Sequence, residues 1–114
     1  MNKIKKTKNA VIYTRTSNLD RGGDYLANQK LVCQGYCRQK GIKVDKIFSD
    51  IGTPALNWKT RGLSNVVKYC KKNKPDILIV ADMERLSRSV DDYKYLEGKL
   101  SKAGTVIYSV RETK

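Results

Sequence analysis

The sequence contains no histidine. Without an imidazole there is no Ser-His-Asp or Cys-His nucleophile, and any zinc site would need thiols and carboxylates alone. No apolar stretch approaches the roughly 20 residues needed to cross a membrane. The basic run Lys3, Lys5, Lys6 and Lys8 leads into an apolar segment only long enough for a short strand. No signal peptide is therefore expected, and the protein is expected in the cytoplasm. Cysteine is scarce and odd in number, at three. Cys33 and Cys37 are four apart and Cys70 is distant; in a reducing compartment all three read as buried, reduced core thiols without zinc. There is no internal repeat, linker or low-complexity segment, and 114 residues suit one domain, 1–114, with a modest core.

Acidic charge is also short. Asp and Glu number 11 against 24 Lys and Arg, a formal net charge of +13. A small domain that basic is expected to meet polyanions, nucleic acid being the commonest; a merely soluble lysine-rich surface is the plainer alternative.

What is present alternates between strand and helix patterns. Ala10–Tyr13 is a short continuous apolar run, as in a buried parallel strand. From Asp24 to Lys40, the residues Leu26, Gln29, Val32, Cys33, Tyr36 and Cys37 recur at helical spacing, and Gly41 stops the helix. Ile42–Phe48 reads as a second strand. Ser49–Lys59, with Gly52, Pro54 and Asn57, reads as a loop whose part from Ile51 onward is expected to be mobile. Thr60 is the expected N-cap of a helix with the stripe Leu63, Val66, Val67 and Cys70. Ile77–Ala81 is the strongest strand. Ser89 to Asp92 forms a capping box opening a helix that buries Tyr93, Leu96, Leu100 and Ala103; Gly104 ends it, and Val106–Val110 is a fourth strand. The β-α-β-α-β-α-β order predicts an α/β domain, its sheet mainly parallel with helices on both faces.

In such folds chemistry gathers beyond the C-terminal ends of the strands. Three segments lie there: Tyr13-Thr14-Arg15-Thr16-Ser17, the stretch from Asp50 to Arg61, and Asp82-Met83-Glu84-Arg85-Leu86-Ser87-Arg88. They bring Ser17, four arginines and several carboxylates to one sheet edge. Guanidinium forks suit a phosphate. A serine among them is a candidate nucleophile for phosphoryl transfer, its pKa lowered by the arginines so that no histidine base is required.

Tyr13-x-Arg15-x-Ser17 resembles the N-terminal motif of the serine recombinases, the resolvase and invertase family. Asp82 to Arg88 resembles that family's second motif, an acidic residue followed by Arg-Leu-x-Arg. Gln29, Asp50 and Arg61-Gly62-Leu63 are similar to family residues on the first helix, at the end of the second strand and at the start of the second helix. The resemblance runs from about Val11 to Val110. It implies the resolvase-like three-layer fold. Ser17 would attack a DNA phosphodiester and become linked to the 5′ phosphate. Arg15, Arg85 and Arg88 would bind the scissile phosphate with Arg61 brought in from the second helix, and Glu84 would stand where the family has the aspartate that helps protonate the leaving oxygen. Tyr13, Gln29, Asp50 and Asp82 would support the site. No metal or other cofactor is implied, and the partners are DNA and, in the full-length enzyme, a homodimer and synaptic tetramer.

The resemblance departs in two places. Glutamate at Glu84 moves the carboxyl by one methylene. The chain stops at Lys114, before the long dimerisation helix and DNA-binding domain of family members, so recombination by this chain alone is not expected. Two rival readings remain: a metal-dependent nuclease holding Mg²⁺ on Asp50, Asp82 and Glu84, and a non-catalytic recombinase-like module that pairs with or regulates a full-length partner. A flavodoxin-like binder would carry a glycine-rich phosphate loop after the first strand, and Thr14 to Ser17 contain no glycine.

Overall fold

The computed structural model describes residues 7–16, 22–51, 62–87 and 89–112. Its elements in chain order are β1 (Asn9–Thr16), α1 (Gly22–Lys40), β2 (Lys43–Ile51), α2 (Leu63–Asn73), β3 (Ile77–Val80), a single 3-10 turn over Met83–Arg85, α3 (Val90–Lys102) and β4 (Val106–Ser109). The sheet order is β2-β1-β3-β4 and all three pairings are parallel.

β1 is sandwiched. Its residues from Ala10 to Thr16 are all buried, and the period-2 alternation of side chains sends them to two cores. Val11 and Tyr13 join Leu78 and Val80 under α2 and α3, which contribute Leu63, Val66, Cys70, Leu96 and Leu100. Ala10 and Ile12 join Ile79 and Ala81 under Cys33 and Cys37 of α1. The three layers expected from the alternating pattern are therefore present, and full burial of each such aliphatic side chain is worth about 1.5–3 kcal/mol.

The differences from the sequence reading lie at element ends and have local causes. β1 and β2 run further than the apolar runs suggest. Pairing continues through Thr14↔Ser49, Arg15↔Asp50 and Thr16↔Ile51, and the Thr14 and Ser49 hydroxyls meet at 2.8 Å. Ser49 and Asp50 thus belong to a strand instead of a loop, because backbone pairing and a cross-strand hydroxyl contact outweigh their polarity. Residues 52–59, the rest of the expected mobile loop, lie outside the described residues.

α2 has Gly62 at its N-cap, with no capping side chain of its own. Thr60, the expected cap, is outside the described residues; the Gly62 N–H donates instead to Asp50 Oδ1 at 3.2 Å. α3 is capped as expected by Ser89, whose Oγ accepts the Asp92 N–H at 3.2 Å. The reciprocal half of the box is supplied by Ser87, whose Oγ accepts the Ser89 N–H at 3.0 Å. Gly41 and Gly104 follow α1 and α3 with φ of 71° and 85°, the left-handed conformation that ends a helix without a Cβ penalty. Cys33, Cys37 and Cys70 are buried and unbridged, as expected.

Candidate active site

The sheet order reverses between β1 and β3, so the crevice beyond their C-terminal ends is the topological switch point where open α/β sheets take ligands. Arg15 lies at the end of β1, and Asp82, Glu84 and Arg85 follow β3. Ser17, Arg61 and Arg88 lie outside the described residues. Thr16, Gly62, Ser87 and Ser89, which adjoin them in the chain, are described.

Arg15 is 3% exposed. Its Nε donates to the Arg85 carbonyl at 3.1 Å and its Nη2 to the Glu84 carbonyl at 2.9 Å. Arg85 answers, its Nη1 donating to the Arg15 carbonyl at 3.1 Å. Each guanidinium therefore fixes the backbone that carries the other. Gln29, 1% exposed, completes the arrangement from α1. Its Oε1 accepts the Arg15 N–H at 3.1 Å and its Nε2 donates to the Arg15 carbonyl at 2.9 Å. One side-chain amide thus supplies both bonds that a neighbouring strand would offer at that residue, and only one flip of the amide can do so.

Arg85 has a side-chain exposure of 21%, and its Nε faces Asp82 Oδ1 at 3.3 Å. The other Asp82 oxygen accepts Arg111 Nη1 at 2.9 Å. Glu112 Oε1 accepts the Met83 N–H at 2.9 Å and the Ser109 hydroxyl at 2.7 Å. The segment after β4 thus pins the Asp82–Arg85 turn from the side away from β1. Arg111 and Glu112 went unnoticed in the sequence. The available signal was their position just past a fourth strand, at the same edge as the three segments singled out.

Asp50 ties a second corner. Its Oδ2 accepts the Tyr13 hydroxyl at 2.6 Å and its Oδ1 the Gly62 N–H. A Cβ on Gly62 would stand 2.5 Å from Asp50 Oδ1, so glycine is required for close approach. The carboxylate joins the ends of β1 and β2 to the start of α2, one residue after Arg61.

The three carboxylates of the Mg²⁺ reading are not brought together by the described geometry. Asp50 faces a hydroxyl and an amide, Asp82 faces two guanidiniums, and among the described residues no three His, Cys, Asp or Glu side chains converge on a common point. Glu84 is exposed and holds Arg15 through its carbonyl.

The chain matches the family described as Resolvase, N terminal domain, over residues 10–114. It belongs to that family. Solved structures agree. This resolvase-family chain is 31% identical to the C-terminal catalytic domain of ISC1926 TnpA, an IS607-like serine recombinase, covering 92% of its own length and 71% of that chain with a TM-score of 0.81. It is 27% identical to the N-terminal catalytic domain of TP901-1 integrase, covering 92% and 79%, with a TM-score of 0.84. A serine recombinase from Sulfolobus solfataricus is 26% identical, with 96% and 71% covered and a TM-score of 0.71. No curated protein sequence matches the chain significantly. The resolvase-like α/β architecture expected from the motifs is therefore that of the family. Among the described residues of this resolvase-family domain, no helix is long and apolar enough to cross a membrane.

Proposed function

We propose that residues 1–114 are the catalytic domain of a site-specific DNA recombinase that cuts and rejoins strands through Ser17. The observation that carries this is the reciprocal lock of Arg15 and Arg85 at the switch point, in which each guanidinium holds the other's backbone at the end of β1, next to Thr16-Ser17. Two arginines fixed at one strand end suit an anion.

In this reading the Ser17 oxygen attacks the phosphorus, forming a bond to the 5′ phosphate and displacing the 3′ oxygen. The leaving oxygen takes a proton from the Glu84 carboxyl, and the serine proton passes to solvent. Arg85, Arg88 and Arg61 neutralise the charge on the non-bridging oxygens. Arg15, whose Nε and Nη2 are engaged with carbonyls, adds its charge from beneath and holds Arg85 in place. The phosphoserine bond conserves the energy of the broken strand, and rejoining is the reverse attack by the 3′ hydroxyl, with no metal or nucleotide. DNA is the substrate, dimers and synaptic tetramers are the working assemblies, and the cytoplasm is the compartment.

The test is denaturing gel electrophoresis of cleavage reactions on labelled DNA, with and without EDTA, in the longest natural form of the protein. A covalent adduct that forms in EDTA and is lost in Ser17→Ala, with DNA binding retained, supports the reading. An adduct that survives Ser17→Ala, or cleavage that requires Mg²⁺, overturns it.

A further inference from the structure

The edge of the sheet opposite the candidate active site carries a different electrostatic surface. Three shallow concavities adjoin there. One is lined by Lys8, Lys40 and Tyr36, one by Lys8, Lys74 and Asp76, and one by Lys71, Lys74, Lys99 and Lys102. Lys8 and Lys74 are shared between neighbours, so six ammonium groups form a continuous strip across the C-terminal ends of all three helices. Most described acids lie away from it: Asp50, Asp82, Glu84, Asp91, Asp92 and Glu112 stand at or after strand C-termini or open α3, at the other edge, while Asp45 lies early in β2 and Glu97 within α3. Asp76 alone lines the strip, and its Oδ2 accepts the Asn9 N–H at 2.9 Å. Among the described residues no carboxylate is within ion-pair distance of these lysines; Lys40 and Lys99 stand over the rings of Tyr36 and Tyr95.

Cations at helix C-termini are favoured by the helix dipole, which accounts for Lys71, Lys74, Lys99 and Lys102. Lys74 carries a backbone cost besides. That residue ends α2 at φ 51°, the left-handed conformation that α1 and α3 meet with Gly41 and Gly104. A side chain is kept where glycine is the better backbone residue, and the side chain kept is a sixth lysine at the meeting point of two concavities.

We propose that this pole binds the phosphate backbone of duplex nucleic acid without sequence preference, as a contact separate from the candidate active site. The strip contains no arginine fork to grip a single phosphate, and its extended form matches a row of them. Single strands need open aromatic faces for base stacking, whereas the Tyr36 ring is stacked on Tyr108 with centroids 4.5 Å apart and the exposed Tyr95 ring carries Lys99 Nζ at 5.4 Å from its centroid. Insertion into a lipid surface needs exposed apolar groups; the apolar residues lining the concavities, Ile42, Ile77 and Ala103, are half-buried or buried, and Val106 beside Asp76 is a single exposed side chain.

The test is fluorescence anisotropy of a labelled mixed-sequence duplex of about 16 base pairs titrated with the full chain across a range of salt. Lys71→Gln/Lys74→Gln/Lys102→Gln is expected to bind about tenfold or more weakly, with the slope of log affinity on log salt reduced by about 2–3. Lys30→Gln/Lys46→Gln/Lys94→Gln, with the same net charge, is expected to stay within about threefold of the parent. Equal losses in the two triple variants, or an unchanged slope in the first, overturn the proposal. So does a first triple that loses binding to phosphatidylserine vesicles while keeping the duplex. Lys74→Gly should melt at or above the parent temperature yet bind the duplex more weakly; undiminished duplex binding counts against the pole. Every variant retains Ser17 and the arginines, so failure here leaves the cleavage assay to decide the catalytic reading independently.

Discussion

Arg15 and Arg85 each donate to the other's main-chain carbonyl, at 3.1 Å in both directions. The pair is reciprocal in geometry but not in consequence. Arg15 also holds the Glu84 carbonyl and is buried, whereas the Arg15 carbonyl has a second donor in Gln29.

The two arginines should therefore fail in opposite ways. Arg15→Lys leaves at least one carbonyl of the Glu84–Arg85 turn short of a donor, since one ammonium cannot reproduce the planar fork; a loss of about 1–3 kcal/mol in urea denaturation is expected. Arg85→Ala should lose less than about 1 kcal/mol, because Gln29 still serves the Arg15 carbonyl. Its adduct formation should fall by about 10²–10³. A large stability loss in Arg85→Ala with normal cleavage would reverse the roles.

Gln29 meets an N–H and a carbonyl with one amide. Gln29→Glu places an oxygen against the Arg15 carbonyl and should destabilise by about 1–3 kcal/mol at neutral pH. A buried carboxyl there has its pKa raised on folding, so its contribution to stability is present at low pH and lost as pH rises. The gap between variant and parent should narrow in acid, where the protonated carboxyl donates to the carbonyl. Parallel stability curves across pH would show that the amide orientation is not what matters.

Asp50 holds two partners, which makes the Tyr13–Asp50–Gly62 corner cooperative. Tyr13→Phe removes a hydroxyl bonded to a carboxylate and is expected to cost about 1.5–3 kcal/mol. Gly62→Ala pushes a methyl into Asp50 Oδ1 and should cost about as much. The double variant should lose less than the sum, because both act through one carboxylate. Additive losses would separate the two contacts.

The cysteines predict an alkaline limit. Burial raises the Cys33 pKa from 9.0 to about 12, with Cys37 adding to it, and burial raises Cys70 to about 11. A thiol held protonated in the fold contributes stability that is complete below pH 9 and lost as pH climbs through the folded values. Unfolding free energy should fall from pH 9 upward, and Cys70→Ala should flatten that fall. Iodoacetamide should modify all three thiols slowly in the native state; rapid modification of Cys33 near neutral pH would contradict its burial.

The sequence made the cores and the layer order legible because β1 and β3 are short continuous apolar runs and α2 and α3 carry clean stripes. Gln29, Arg15 and Arg85 stand out in the sequence by motif, and the structure brings the three into contact. Their mutual hydrogen bonds were not legible, since a guanidinium that serves a carbonyl and one that awaits an anion are written with the same letter. The start of α2 misled for a related reason: a local cap was sought at Thr60, whereas the observed partner, Asp50, comes from a strand twelve residues earlier. Arg111 and Glu112 carry no motif of their own, and only their place past the end of β4 marks them.

β1 sits in the middle of the sheet, and this has a consequence in time. Ala10 pairs with Val44 on one side and with Ile77 on the other. A ribosome adding about 5–20 residues per second needs roughly 3–13 s to pass from the first of these positions to the last. Throughout that interval a strand buried from Ala10 to Thr16 in the fold has an unfilled edge. Nascent chains of this protein are thus expected to engage holding chaperones until Ile77–Val80 emerges.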